Sequence, residues 1–300
     1  MTPRELNQNY QKKKDIFHKY IDTVKKNAKW NLFTIINSTL IKNPYSSSFS
    51  KNYFSNLLKN KNKKFLFIKN TIKFYHKNIY LLFCYFLSFI IYKFYFKKKR
   101  TNSLQTIIDV FGLIQKTNQN RKFSENYLSG IYEVFEKFNI KYAILLRPYG
   151  VEKNPFKLKK FFQIISKDKK DFVFDYEFLR LFDFMKLLSM LLKYPFQVLQ
   201  LKQQEKNEID KIFNTSLIED INYFSFDSLT RYILGKNLSK ITSIKKIYSW
   251  SEFQVIERSF NYAIRSNCNH IELIGLQFYL HYETYFNAHA NDIDYDMLSI

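Results

Sequence analysis

The densest run of side chains able to hold a ligand or move a proton is Trp250-Ser251-Glu252-Phe253-Gln254-Val255-Ile256-Glu257-Arg258. Its two carboxylates can exchange protons, its guanidinium can meet an anion, and Trp250 and Gln254 offer a flat apolar face and an amide. A second group, Ile274-Gly275-Leu276-Gln277, ends an apolar run with a glycine and a polar amide. Asp109 lies toward the end of another such run. Each residue also has a plain structural role open to it. Ser251 with Gln254 can form a capping box, Glu257 and Arg258 can be solvated or paired, Gly275 can mark close backbone approach, and Asp109 can cap a loop. His270, His281 and His289 lack metal-ligand spacing. Asp292, Asp294 and Asp296 alternate without the glycine and distal glutamate of a calcium loop, so no metal is expected.

The elements that must position these groups read as an α/β chain beyond Thr101. Predicted strands are Leu104–Phe111, Ile140–Leu146, Asp171–Asp175, Ile244–Trp250 and His270–Gln277, each an apolar run bounded by polar or turn residues. Helical spacing covers Lys122–Phe138 (with Ser124 as N-cap), Pro155–Lys167, Tyr176–Leu201, Glu205–Thr215, Asn222–Ser239 and Ser251–Ser266. Pro195 is expected to kink or divide the long one. The cluster at 250–258 follows a strand and opens a helix, which is where open α/β sheets place ligands.

The 300 residues carry 32 Phe and 23 Tyr but only 5 Gly and 5 Pro, which excludes collagen-like and linker-rich chains and leaves little room for a glycine-rich nucleotide loop. Two distant cysteines, Cys84 and Cys268, exclude a disulfide framework or a zinc cluster. No secretory signal is read at the start, so a reducing compartment is expected. AT-rich codons inflate Lys, Asn, Phe, Tyr and Ile, yet codon bias does not explain where the charge lies. Residues 1–100 hold 22 Lys and Arg against three acids, net +19, whereas residues 101–300 carry only +3. Such a block faces a polyanion. Within it, Ile79–Tyr92 is uncharged over 14 residues, rich in aromatics, and closed by Lys97-Lys98-Lys99-Arg100. As a helix that run spans about 21 Å, short of the roughly 30 Å hydrocarbon core. A buried core helix and a single span are alternatives. The favoured reading is a monotopic anchor, with Tyr80, Phe83, Phe86 and Phe89 in the interface and Lys97, Lys98, Lys99 and Arg100 on lipid phosphates. Lysine interleaved with Phe and Tyr also suits single-stranded nucleic acid, but zinc-finger spacing, arginine stripes and aromatic RNA-binding strands are missing, which argues against that partner.

The pattern Trp250-x-Glu252-x-Gln254-Val255-Ile256-Glu257-Arg258, with Ala263-Ile264-Arg265 and Ile274-Gly275-Leu276-Gln277-Phe278, resembles bacterial surface-carbohydrate biosynthesis proteins, the glycosyltransferase-like proteins of capsule and lipopolysaccharide clusters. Three further stretches resemble the same family: Trp30 with Ser38 and Lys42-Asn43-Pro44-Tyr45-Ser46-Ser47; Ile108-Asp109-Val110-Phe111 with Lys122-Phe123 and Tyr127; and the aromatic helices of Tyr176–Leu199. The resemblance implies an α/β, Rossmann-like N-terminal lobe of a GT-B arrangement, with a basic, aromatic-rich helical insertion. It implies residues 1–58 as the start of the lobe, 101–277 as the acceptor-side lobe, and 278–300 as an interlobe hinge or truncated tail; residues 59–100 are the membrane-associating segment read above from charge and apolar pattern. The sugar-nucleotide lobe is then expected to be missing. The implied activity is sugar transfer from a nucleotide donor to a lipid-linked glycan at the cytoplasmic face of the inner membrane. No covalently bound cofactor is implied; the nucleotide sugar is a substrate. Glu252 or Glu257 would be the base for the acceptor hydroxyl and Asp109 the next candidate. Trp250, Gln254, Arg258, Gly275 and Gln277 would line the substrate. The alternative is a non-catalytic membrane-surface binding protein or an inactive remnant.

Overall fold

The computed structural model describes residues 3–26, 34, 48–54, 63–96, 104–123, 128–148, 152–250 and 254–276. Helices α1 (Pro3–Lys26), α2 (Ser48–Phe54) and α3 (Lys63–Tyr95) come first. Strand β1 (Thr106–Gly112) leads through α4 (Ile114–Asn120) and α5 (Ser129–Lys137) to β2 (Ala143–Pro148), and α6 (Pro155–Ile165) leads to the short β3 (Phe172–Val173). Helices α7 (Asp175–Phe178), α8 (Leu181–Leu199), α9 (Glu208–Asp220) and α10 (Phe226–Leu238) follow. The chain closes its described part with β4 (Lys246–Trp250), α11 (Val255–Arg265) and β5 (Glu272–Leu276).

The chain divides into two compact units. The first takes the described residues up to His76 together with 191–225, and among its described residues it is helical. Residues 1–58, expected to open the α/β lobe, give this unit α1 and α2, and residues 191–225, expected inside the lobe, belong to it as well. Its core is aromatic: Phe17 stacks on Phe49 with centroids 5.2 Å apart, and Phe49 meets Phe213 edge-on at 5.2 Å. Further along, Tyr194 lies 4.4 Å from Phe224 and stacks with Phe74 at 5.5 Å. Rings this large supply the buried area that a short helical unit needs.

The second unit holds the described residues of 77–190 and 226–276 and is α/β. Its five strands are all parallel, in the order β3-β2-β1-β4-β5. Every strand overlaps an apolar run read from the sequence; β1 and β2 are buried along most or all of their length, whereas β4 and β5 are only partly buried. β1 lies centrally, and the direction of winding reverses between β1 and β4, the switch point of a doubly wound sheet. Ile107, Leu145, Val173 and Ile247 share one core with Leu234 and Leu238 of α10 and Phe260 and Ile264 of α11. Each fully buried aliphatic side chain there contributes about 1.5–3 kcal/mol by leaving water. Gly235 lets the two helices meet: a Cβ on it would stand 2.7 Å from the carbonyl oxygen of Phe260 and 2.9 Å from the Ala263 Cβ.

Two local expectations change. Helix α8 runs through Pro195, and the break comes earlier, at Leu179, whose backbone is extended. Pro195 has no N–H to give the Leu191 carbonyl, so the ladder loses that one bond and the helix still continues to Leu199. The span Lys122–Phe138 is not one helix: α4, with a single apolar residue over Ile114–Asn120, ends at a left-handed Arg121, and α5 starts at Ser129. Ser124, its expected cap, lies outside the described residues.

Candidate functional site

The alternation of a strand explains how charge reaches the switch point. On β1 the side chains of Ile107 and Asp109 point to one face, as do Leu145 and Arg147 on β2 and Ile247 and Ser249 on β4. That face is apolar at the amino ends and turns polar toward the carboxyl ends. Helix α10 covers it. Its C-terminal residues Leu234 and Leu238 lie on the apolar part, and Asp227, Thr230 and Arg231, spaced i, i+3, i+4, reach the polar part.

Asp109 and Ser249 are register partners across the β1–β4 pair, so they stand at the switch point itself. Asp109 is 7% exposed and Arg231 2%. The guanidinium engages both carboxylate oxygens, with Nη1 donating to Oδ1 at 2.9 Å and Nη2 to Oδ2, and Ser249 Oγ donates to Oδ2 at 2.8 Å. Below, the Phe260 ring lies 3.7 Å from the Arg231 guanidinium carbon, a cation–π contact that desolvation strengthens.

A second arginine extends the cluster. Arg147, also buried, pairs with Asp227 at 2.9 Å, donates to Thr230 Oγ1 at 3.0 Å, and stands 3.9 Å from Asp175. Burial lowers the Arg147 pKa, but Asp227 and Asp175 outweigh it and the net direction is upward. Burial raises the Asp175 carboxyl, and Arg147 and Arg231 only partly pull it back. Tyr85 of α3 sits close by, its phenol pushed well up by burial and then by Asp175. Arg147 Nη1, Asp175 Oδ1, Arg231 Nε and the Tyr85 hydroxyl are buried without a hydrogen-bond partner among the described residues. Buried polar atoms are usually satisfied, and these four fall within one cluster.

The expected site residues fall around this centre unevenly. Asp109 is at it, as an ion-paired strand residue and not a loop cap. Trp250 ends β4 and packs edge-on against Phe111 at 5.5 Å. Gly275 lies inside β5, opposite Ser249, so Asp109, Ser249 and Gly275 stand abreast on three adjacent strands. Glu257 and Arg258 are 5% and 2% exposed in the first turns of α11, so they are not solvated. Gln254 is extended and is the N-cap of that helix, not the third helical residue that the expected capping box needs. Glu252 and Gln277 lie outside the described residues, as do Ser251, Lys97, Lys98, Lys99 and Arg100. The anchor residues divide: Tyr80 and Phe83 are 47% and 57% exposed. Phe86 is half-buried against Phe184. Phe89 is a core residue, 7% exposed on the same ring, and not a lipid-facing one.

Sequence reasoning missed Arg231, Ser249, Arg147, Asp175 and Asp227. A signal existed for two of them. Arg231 interrupts the apolar side of a predicted helix, and Ser249 follows Ile247 at the inward position of a predicted strand. Elsewhere, a groove of about 1140 Å³ lies at the amino ends of β1 and β2, lined by Thr106, Tyr142 and Lys170 among others. Its Lys170 and Tyr142 are both bonded to Glu136, at 3.2 Å each, and it is on the sheet edge away from the switch point. Among the described residues no group of three or more His, Cys, Asp or Glu could hold a metal ion. No protein-family model, curated protein or solved structure matches the chain.

Proposed function

We propose that this chain is a glycosyltransferase-like protein of bacterial surface-polysaccharide biosynthesis, comprising the acceptor-side, Rossmann-like lobe of a GT-B arrangement. It works at the cytoplasmic face of the inner membrane, where a sugar passes from a nucleotide donor to a lipid-linked glycan. One observation carries the reading: a parallel sheet in the order β3-β2-β1-β4-β5 with Asp109, Ser249 and Arg231 gathered at its switch point. The resemblance at residues 250–277 supports it, because those residues flank the same point.

Transfer needs a base for the acceptor hydroxyl and positive charge for the departing phosphate. With both oxygens engaged, Asp109 fits a positioning role: it fixes Arg231 and orients the Ser249 hydroxyl. Glu252 or Glu257 is then the better base, and Arg258 the better phosphate partner. A test is transfer of radiolabelled sugar from a mixture of nucleotide sugars to the lipid fraction of bacterial membranes by the full chain supplied with a sugar-nucleotide lobe, which the reading requires as its partner. Glu257→Gln or Glu252→Gln is expected to lower transfer by about 100-fold or more, and Ser249→Ala by less. Unchanged transfer in both glutamate variants removes the base assignment.

The second reading, a non-catalytic membrane-surface binding protein or inactive remnant, is favoured by the closed Asp109–Arg231 pair, which leaves that carboxylate no free oxygen for chemistry. Under it the wild-type chain binds lipid and transfers nothing.

A further inference from the structure

Helix α3 is long and apolar enough to cross a membrane by length and composition. In the α/β unit, however, one side of it belongs to the protein. Tyr85 and Tyr92 are 4% and 2% exposed, Ser88 is buried, and the Tyr92 hydroxyl donates to Glu177 at 2.7 Å. A helix fastened this way along a folded unit has only its outer arc to offer lipid. On α3 that arc includes Tyr80 and Phe83.

The same unit carries a second arc. On α8, Leu181, Phe182, Met185 and Leu188 are 66%, 59%, 65% and 39% exposed, at spacings that put them on one side of the helix. Phe184, turned the other way, packs on Tyr85, Phe86 and Phe89 of α3. Tyr92 meets Glu177 while Tyr85 meets Phe184, so the chain leading into α8 runs antiparallel to α3. Exposed apolar surface of this extent is uncommon unless something covers it.

The charge beside these arcs says what covers it. Helix α3 contains no acid. The single acid of α8, Asp183, is 2% exposed and bonded to Asn237 and Lys186. Cations border both arcs: Lys153 lies over the Tyr80 ring at 5.7 Å, Lys186 over Phe182 at 4.7 Å, and Lys77 is exposed on α3. Lysines stacked on rings at the edge of an apolar arc can rest their stems on it and place their ammonium groups at phosphate level.

We infer that α8 is a second membrane-contacting element, and that α3 and α8 of the α/β unit lie in the plane of an anionic bilayer surface, with neither helix spanning it. The inference rests on the membrane reading proposed above and adds its location and partner helix. The test is co-flotation of the purified full chain with phosphatidylcholine vesicles with and without phosphatidylglycerol. Wild type is expected to float with the anionic vesicles. Met185→Glu and Phe83→Glu, both at exposed positions, should each weaken partitioning by about tenfold or more, with circular dichroism unchanged. If Phe83→Glu weakens binding and Met185→Glu does not, the role of α8 is overturned while the membrane reading stands. Failure of wild type to float with either vesicle overturns the membrane reading itself. Equal flotation with neutral vesicles overturns the anionic specificity.

Discussion

Asp210 and Asp220 of the helical unit are buried in a different way from Asp109 and Asp175 of the α/β unit. In the helical unit, Asp210 accepts from the Tyr20 hydroxyl at 3.0 Å and from the backbone N–H groups of Lys206 and Asn207 at 3.0 and 3.2 Å. Asp220 accepts from the backbone N–H of Ser48 at 3.1 Å and from its hydroxyl. These donors are neutral, and all but the Tyr20 hydroxyl lie at helix starts, where a carboxylate satisfies orphan N–H groups and meets the positive end of the helix dipole. In the α/β unit, Asp109 and Asp175 face buried arginines, and the cluster they form keeps unpartnered polar atoms. Acids of the first kind fasten helices. Those of the second kind hold charge in reserve against buried cations, an arrangement that is weak evidence for stability.

The largest expected effect separates these classes directly. Asp109→Asn leaves Arg231 charged in the core without its counter-ion and should cost about 3–5 kcal/mol. Combined with Arg231→Met, which fills the same space without charge, most of that loss should return. Urea denaturation of both variants measures it. A double variant no more stable than Asp109→Asn alone would mean that the pair holds the fold by shape and not by charge balance.

A smaller loss is expected in the helical unit. Asp220→Asn keeps one acceptor oxygen for the Ser48 donors. The cost should be about 1–3 kcal/mol, the range for hydrogen bonds to a charged group. If Asp220→Asn proves as damaging as Asp109→Asn, the distinction between fastening and reserve acids fails.

What was legible in the sequence follows the same division. Strands declared themselves because each contains an apolar run, and Ile107, Leu145 and Ile247 are fully buried positions of β1, β2 and β4. Helix α4 was illegible, since Ile114-Gln-Lys-Thr-Asn-Gln-Asn120 has no apolar period. The aromatic helices α1 and α2 gave no hint that they pack with residues 191–225, which are distant in sequence. For the site, Glu257 and Arg258 were visible as a cluster near a predicted strand end. The ionic centre was not, because Arg231 meets Asp109 across 122 positions of chain. Such a pairing is set by the order of strands, and one sequence carries no local sign of it.

The smallest effect concerns Asp175, and its sign is opposite to that of a fastening acid. Its carboxyl faces Arg147, Arg231, Asp109 and Asp227, and burial lifts its pKa above the ordinary 3.8. The folded chain thus holds this proton more tightly than the unfolded chain does. Stability linked to the group is full below the unfolded value and declines as pH rises through the higher folded value. Asp175→Asn abolishes that titration, so the variant should gain stability relative to wild type as pH is raised from about 4 toward 7. The attraction between Arg147 and the Asp175 carboxylate is already part of that net upward shift, so it adds no separate offset to the comparison. Urea midpoints of both proteins across that range are the measurement. A difference that stays level with pH, or one that moves in wild type's favour as pH rises, would place Asp175 among the fastening acids and leave Asp109 alone in reserve.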